Sequence, residues 1–380
     1  AEAAAAYHGE QLTFGPDYLI PKPFDPRLIG VVASAVAKAA METGVATRPI
    51  MDMKSYRERL DGSVFKSALI MRPVFDAART AKRPIVFAEG EDERVLRTAQ
   101  AMIEEFGNRP VLVGRPEVIT ARCERAGLKI RPGTDFPIVN PENDPRYRDY
   151  WGGYHALMAR KGVTPDLARA IMRTNTTAIA AVMVHRGEAE SMICGTFGQY
   201  LWHLKYVTEV LGHDGLNPVA ALSLMILEDG PLFISDTQVH PEPSPQQIAD
   251  TVIAAARHCR RFGVLPRIAL CSHSQFGNLD CDSGRRMRAA LEILDRAPRD
   301  FDYEGEMHID AALDPELRSR IFPQSRMEGA ANVLVFANSD AASGVRNILK
   351  MKGGGLEVGP ILMGLGNRAH IVTPSITARG

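Results

Sequence analysis

The chain has 380 residues, enough for two or three cores, and its 45% hydrophobic and 24% charged residues are those of a globular protein. Lysine plus arginine equals aspartate plus glutamate at 45 each, so no global field draws it to nucleic acid or an anionic membrane, and any anion site must be local. No apolar run reaches the ~18 residues of a membrane span; the five cysteines lack CxxC spacing and are odd in number, which predicts reduced, mostly buried thiols in a cytoplasmic protein.

Ala1 to Ala6 has neither a basic n-region nor an initiator Met, so it is no secretory signal. It reads as the middle of a helix, and the expectation is a chain cut from something longer. A connector punctuated by Pro16, Pro21, Pro23 and Pro26 follows, then an Ala/Val helix from Leu28 to about Thr43. Turn signals fill Gly44 to Asp52, and Lys54 to Leu60 reads as a charged linker helix. Residues 1–60 offer too little for a core of their own.

From Arg83 the texture changes. Pro84 to Ala88 is a short apolar run suited to a buried parallel strand. Glu89-Gly90-Glu91-Asp92 turns into a helix expected over Glu93 to Phe106, with acids at its start. Pro110 to Gly114 repeats the strand signal and Glu117 to Ala126 the helix. The alternation recurs at Ser191–Gly195, at Leu232–Ser235 with Pro245–Phe262, at Arg267–Ser272 with Ser283–Ala297, and at Asn332–Ala337 with Ala341–Lys350. This predicts an α/β fold with mainly parallel strands, whose carboxyl-end loops are where ligands sit.

Several loops could carry chemistry. Four carboxylates lie between Glu89 and Glu93; a metal or general-base site is one reading, helix-start acids paired with Arg94 the blander and weightier one. Gly195-Thr196-Phe197-Gly198 opens a helix bearing Trp202, His203 and Lys205, so its N–H groups and Lys205 form a candidate anion site. Arg160-Lys161-Gly162 closes another helix, where basic residues already suit the C-terminus. His240 reads as a solvated loop histidine. Ser272-His273 is no G-x-S-x-G elbow, Asp280 and Asp282 lack the EF-hand glycine and glutamate, and neither a Walker A nor a GxGxxG pattern is present. Six glycines between Gly353 and Gly366 suggest a phosphate cradle, but no lysine or arginine lies between Lys352 and Arg368. A cradle without a clamp points to binding rather than turnover; an ordinary glycine-rich loop around a buried strand is the alternative.

Pro84 to Leu96 (PIVFAEGEDERVL) resembles the opening strand and loop of phosphotransacetylases. Lys161 to Thr164 (KGVT), Met183 to Gly195 (MVHRGEAESMICG), Phe233 to Gln247 (FISDTQVHPEPSPQQ), Gly305 to Leu313 (GEMHIDAAL) and Ala330 to Phe336 (AANVLVF) agree in order, over roughly residues 65–380. Phe14 to Leu28 (FGPDYLIPKPFDPRL) and Ala37 to Ala46 (AKAAMETGVA) resemble the end of a bacterial malic enzyme catalytic domain. That pairing is similar to the C-terminal half of a hybrid, NADP-dependent malic enzyme.

The resemblance implies a phosphotransacetylase-like, isocitrate/isopropylmalate dehydrogenase-like fold: two α/β lobes, largely parallel sheets and a cleft between them. Residues 1–60 would be the malic enzyme tail and linker, 61–215 lobe I completed by 361–380, and 216–360 lobe II. Where phosphotransacetylases carry a phosphate-binding Ser-Arg pair, this chain has Thr373-Pro374, and where they carry a mid-chain Arg-Pro pair it has Lys205-Tyr206. Proline removes a five-donor cation and an N–H together, and lysine loses bidentate geometry. The implied function is therefore a regulatory module binding acetyl-CoA as effector, its phosphate chemistry lost. Arg160, Gly195, Thr196, Lys205, Asn367, Thr373 and Ser375 are expected to line the effector cleft, with no catalytic or metal residue in this chain. NADP and Mg or Mn would belong to the malic enzyme domain, which oxidatively decarboxylates malate, and the module would hold a homo-oligomer, dimer or higher. An active phosphate acetyltransferase and a purely oligomerising scaffold are the alternatives.

Overall fold

The computed structural model describes residues 29–212, 219–353 and 355–378. The expected Ala-rich opening helix and the proline-punctuated connector lie outside the described residues. A five-stranded, wholly parallel sheet contains β1 (Ile85–Phe87), β2 (Val111–Val113), β3 (Ile138–Val139), β4 (Ser191–Cys194) and the last strand, β11 (Ala369–Ile371). Its order is β11-β4-β1-β2-β3. A six-stranded sheet contains β5 (Ala220–Leu227), β6 (Gly230–Ser235), β7 (Arg267–Cys271), β8 (Asp302–Met307), β9 (Val333–Phe336) and β10 (Leu356–Met363), in the order β10-β5-β6-β9-β7-β8. β6, β9, β7 and β8 run parallel, whereas β5 is antiparallel to both β6 and β10.

The apolar strand runs are what burial on both faces demands: Val111, Leu112 and Val113 are all buried. Helix Thr176–His185 buries eight of its ten residues and forms the centre of the first core with Met192, Cys194 and Ile371. The second core packs helix Pro245–Arg261 on β5, β6, β7 and β9. That helix starts where Ser244 and Gln247 cap each other's backbone amides, with Pro245 at its first position. Cys123, Cys194, Cys259 and Cys271 are buried, Cys281 is half-buried, and all five are free thiols. Among the described residues no helix is long and apolar enough to cross a membrane.

Three expectations change. The linker helix is the first part of a 29-residue helix, Met53–Ala81, whose Ile70 and Met71 pack against the second core. The helix from Glu93 ends as α at Ala101 and continues as a π turn, Met102–Phe106, closed by left-handed Gly107 (φ 64°). The glycine tract is not a phosphate cradle, because most of it is β10. Gly359 (φ +113°) lies at the register break between Val358 and Ile361, where an added Cβ would stand 2.8 Å from the Ile361 nitrogen. Its glycine serves a β-bulge.

Candidate functional site

In the parallel sheet the chain runs β1, β2, β3 toward one edge and places β4 and β11 on the other side of β1. The topological switch lies between β1 and β4, and the crevice at their carboxyl ends is the expected ligand position in such sheets. Loops leaving β1, β4 and β11 meet there. Gly195 has φ +102°, and a Cβ on it would come 2.3 Å from the Val372 carbonyl oxygen, so only glycine lets the β4 loop lie against the chain leaving β11.

Glu89, only 6% exposed, accepts the Gly195 amide on Oε2 at 3.0 Å. The N–H foreseen as an anion donor is thus already used by a carboxylate. Burial pushes the Glu89 acid up to about 7; the Gly195 and Thr196 amides pull it back, and the Asp92 charge raises it further. His203 is fully buried, with Nε2 2.7 Å from the Phe197 carbonyl oxygen and Nδ1 2.8 Å from Thr177 Oγ1. A carbonyl only accepts, so Nε2 bears the proton and Nδ1 accepts from the threonine hydroxyl. Burial lowers the His203 pKa, in keeping with this neutral tautomer. His203 therefore fixes the loop that carries Thr196 and Phe197.

Arg94 ties the three loops together. Its Nη2 donates to the Thr196 carbonyl at 2.8 Å and to Asp92 at 2.7 Å, while Nη1 donates to the Pro374 carbonyl at 2.6 Å and that of Ile376 at 3.2 Å. From the other sheet, helix Ser339–Lys352 presents Arg346 and Lys350, four residues apart on one face. Arg346 donates to Thr373 Oγ1 at 3.2 Å and Lys350 to Ser375 Oγ at 2.8 Å; the two hydroxyls are 3.1 Å apart. Both cations share Glu357 of β10, which with Arg346 forms an ion pair whose side chains are each 4% exposed.

Of the residues expected to line the site, the fold brings Gly195, Thr196, Thr373 and Ser375 together. Lys205 lies on the solvent side of helix Tyr200–Leu211, 62% exposed and 4.0 Å from Glu209. Arg160 sits in the exposed 3₁₀ turn Ala159–Lys161 and makes no hydrogen bond or ion pair with that group. Asn367 (φ 58°) occupies the turn between β10 and β11, its Oδ1 accepting from Arg261 at 2.6 Å. Arg346, Lys350 and Glu357 escaped the sequence reading; the one available signal was the four-residue spacing of the two cations beside the glycine tract. His240, read as solvated, instead has Nδ1 2.9 Å from Asp236 Oδ2. Asp280 and Asp282 both pair with Arg285.

The two sheets and the crevice at the strand ends define the chain as an α/β protein of phosphotransacetylase-like fold. Phosphotransacetylase structures from Streptococcus pyogenes (TM-score 0.72, 24% identity, 81% of this chain and 94% of that one) and Staphylococcus aureus (TM-score 0.71, 21% identity, 83% and 95%) share it. Residues 69–380 match the Phosphate acetyl/butaryl transferase family, and the chain belongs to that family. It is 52% identical to the NAD-dependent malic enzyme of Rhizobium meliloti, over 100% of this chain and 49% of that protein. It is 46% identical to the NADP-dependent malic enzyme of Escherichia coli, over 99% and 50%. A phosphate acetyltransferase from Synechocystis is 29% identical over 300 residues, 78% of this chain and 42% of that protein. The chain spans about half the length of these malic enzymes.

Proposed function

We propose that this chain is a regulatory, oligomerising module of a malic enzyme, with acetyl-CoA as its effector and phosphotransacetylase chemistry lost. The observation carrying this reading is the state of the crevice at Thr373-Pro374. Proline supplies no cation there, its carbonyl is held by Arg94, and the neighbouring Arg346 guanidinium is buried in its ion pair with Glu357, which leaves only the Lys350 ammonium sharing that carboxylate. A transferring phosphoryl group would meet no uncommitted guanidinium at that point, and losing one such electrostatic donor costs about 3–4 kcal/mol of transition-state stabilisation. Binding of a coenzyme A thioester needs no such clamp. Similarity to malic enzymes along the whole chain supports a partner malic enzyme domain, which would hold NADP and Mg or Mn and convert malate to pyruvate. Because the 52% identical relative is named NAD-dependent, both nicotinamides belong in the assay of the whole protein. The effector acts by binding one quaternary state of a homo-oligomer more tightly than another.

Calorimetry on the folded chain should give saturable heat with acetyl-CoA; silence at millimolar ligand sinks the proposal. The family match favours a second reading, an active phosphate acetyltransferase. Coenzyme A-dependent consumption of acetyl phosphate by the purified chain decides for it.

A further inference from the structure

At the carboxyl ends of β1 to β3, bordered by Glu89 and by Phe197 of the Gly195–Gly198 loop, lies a cavity of about 420 Å³. Val113, Pro141 and Phe197 give it an apolar wall, and Phe197, in edge contact with His203, is still 57% exposed. Opposite stand three arginines, and their commitments differ. Arg115 is spent: it pairs bidentately with Glu91, Nε to Oε1 at 2.8 Å and Nη2 to Oε2 at 2.9 Å. Arg122 donates only to the Glu91 carbonyl, and Arg173 only to the carbonyls of Pro141 and Glu142, with its guanidinium 3.7 Å from the Tyr147 ring centre.

Among the described residues neither Arg122 nor Arg173 has a carboxylate within ion-pair distance. The acids on the cavity wall do not change the balance. Glu91 is committed to Arg115 and Asp92 to Arg94. Glu89 bonds the Gly195 amide and is driven toward its neutral form by burial. Glu142, exposed at the rim, is the one remaining carboxylate. Two unmatched guanidiniums therefore face Glu142 and a Glu89 only partly ionised near neutral pH, across a space much larger than a water molecule.

We infer that this cavity is a second ligand site, adjoining the crevice but lined by neither Thr373 nor Ser375, which takes a small metabolite bearing a phosphate or carboxylate group. The oxyanion sits between Arg122 and Arg173, which both line the cavity with only Nη1 hydrogen-bonded, and the carbon skeleton lies on Val113 and Phe197. Guanidinium forks recognise either oxyanion by paired N–H donors.

The test is calorimetry on the full chain with inorganic phosphate and, separately, malonate. At least one should bind saturably, and the one that does names the oxyanion class. Arg173→Ala should weaken that binding about tenfold, the loss expected for a charge-assisted hydrogen bond, while the heat with acetyl-CoA is unchanged. Glu142→Gln removes the opposing carboxylate and should tighten binding about threefold; as an exposed rim substitution it keeps the test informative if Arg173→Ala fails to fold. Neither anion saturating at tens of millimolar overturns the inference. So does saturable binding that Arg173→Ala, Arg122→Gln and Glu142→Gln all leave unchanged.

Discussion

Glu89 Oε2 takes the Gly195 amide at 3.0 Å, so a carboxylate after one strand fixes a glycine after its neighbour across the switch point of the sheet. No donor reaches the other oxygen with hydrogen-bond geometry, and His203 Nδ1, 3.9 Å away, carries no proton to offer. The acid is half-satisfied and buried, which is why its proton is held to about 7.

Folding therefore favours the protonated acid, and stability should respond to pH. The Glu89 contribution is fully present below the unfolded value near 4.5 and is lost as pH rises to about 7. The loss is on the order of 3 kcal/mol across that window. Glu89→Gln keeps an acceptor for the Gly195 amide and cannot ionise, so its urea-unfolding free energy should fall less between pH 5 and pH 8. Equal slopes for the two proteins would remove Glu89 as the source.

Gly195→Ala tests the close approach itself. Its Cβ would meet the Val372 carbonyl oxygen at 2.3 Å in a backbone conformation that side chains avoid. Strain and overpacking together should cost at least about 3 kcal/mol, with the segment after β11 displaced and more readily cleaved by protease. Gly44→Ala, also at positive φ but with nothing within 4 Å, should cost about 1 kcal/mol. Comparable losses at both positions would show that backbone strain, not contact with Val372, decides the matter.

Much of this architecture was legible because it is local. The apolar runs at β1 and β2 and the acidic start at Asp92 each announce an element within a few residues. The crevice was half legible. Gly195 and Thr196 follow a strand and open a helix, a pattern that points to strand-end loops, and the Thr373-Pro374 departure drew attention to the far end of the chain. What stayed hidden are partners distant in sequence: Arg94 reaches Pro374 across 280 positions and Arg346 reaches Thr373 across 27. The glycine tract misled for a related reason. Glycine at a β-bulge and glycine at a phosphate loop look alike until the pairing of β10 with β5 is known.

The Arg346–Glu357 pair should be costly to break and cheap to replace. Both side chains are 4% exposed, so Glu357→Leu strands two cations, whereas Arg346→Met leaves Glu357 paired with Lys350 alone. Glu357→Leu should destabilise by about 3–5 kcal/mol in denaturant unfolding, and Arg346→Met by less. The double variant should recover most of that loss, since it leaves Lys350, 21% exposed, able to reach water. Strictly additive losses would show that the two side chains act through separate contacts.

Lys350 and Lys205 separate the crevice from the outer helix face as the place where an anionic effector is held. Arg346 and Lys350 share one carboxylate, which leaves a positive charge in excess beside the exposed Ser375. Lys205 is 62% exposed and lies 4.0 Å from Glu209, so water and salt screen what charge its neighbour leaves. If acetyl-CoA binds as proposed, Lys350→Ala should weaken it about tenfold in a calorimetric titration, whereas Lys205→Ala should change it by less than about threefold. Raising the ionic strength should weaken acetyl-CoA binding to the wild-type chain more than to Lys350→Ala, because the wild type has the larger electrostatic share to lose. A larger loss with Lys205→Ala would move the effector onto the outer face of helix Tyr200–Leu211 and away from Thr373 and Ser375.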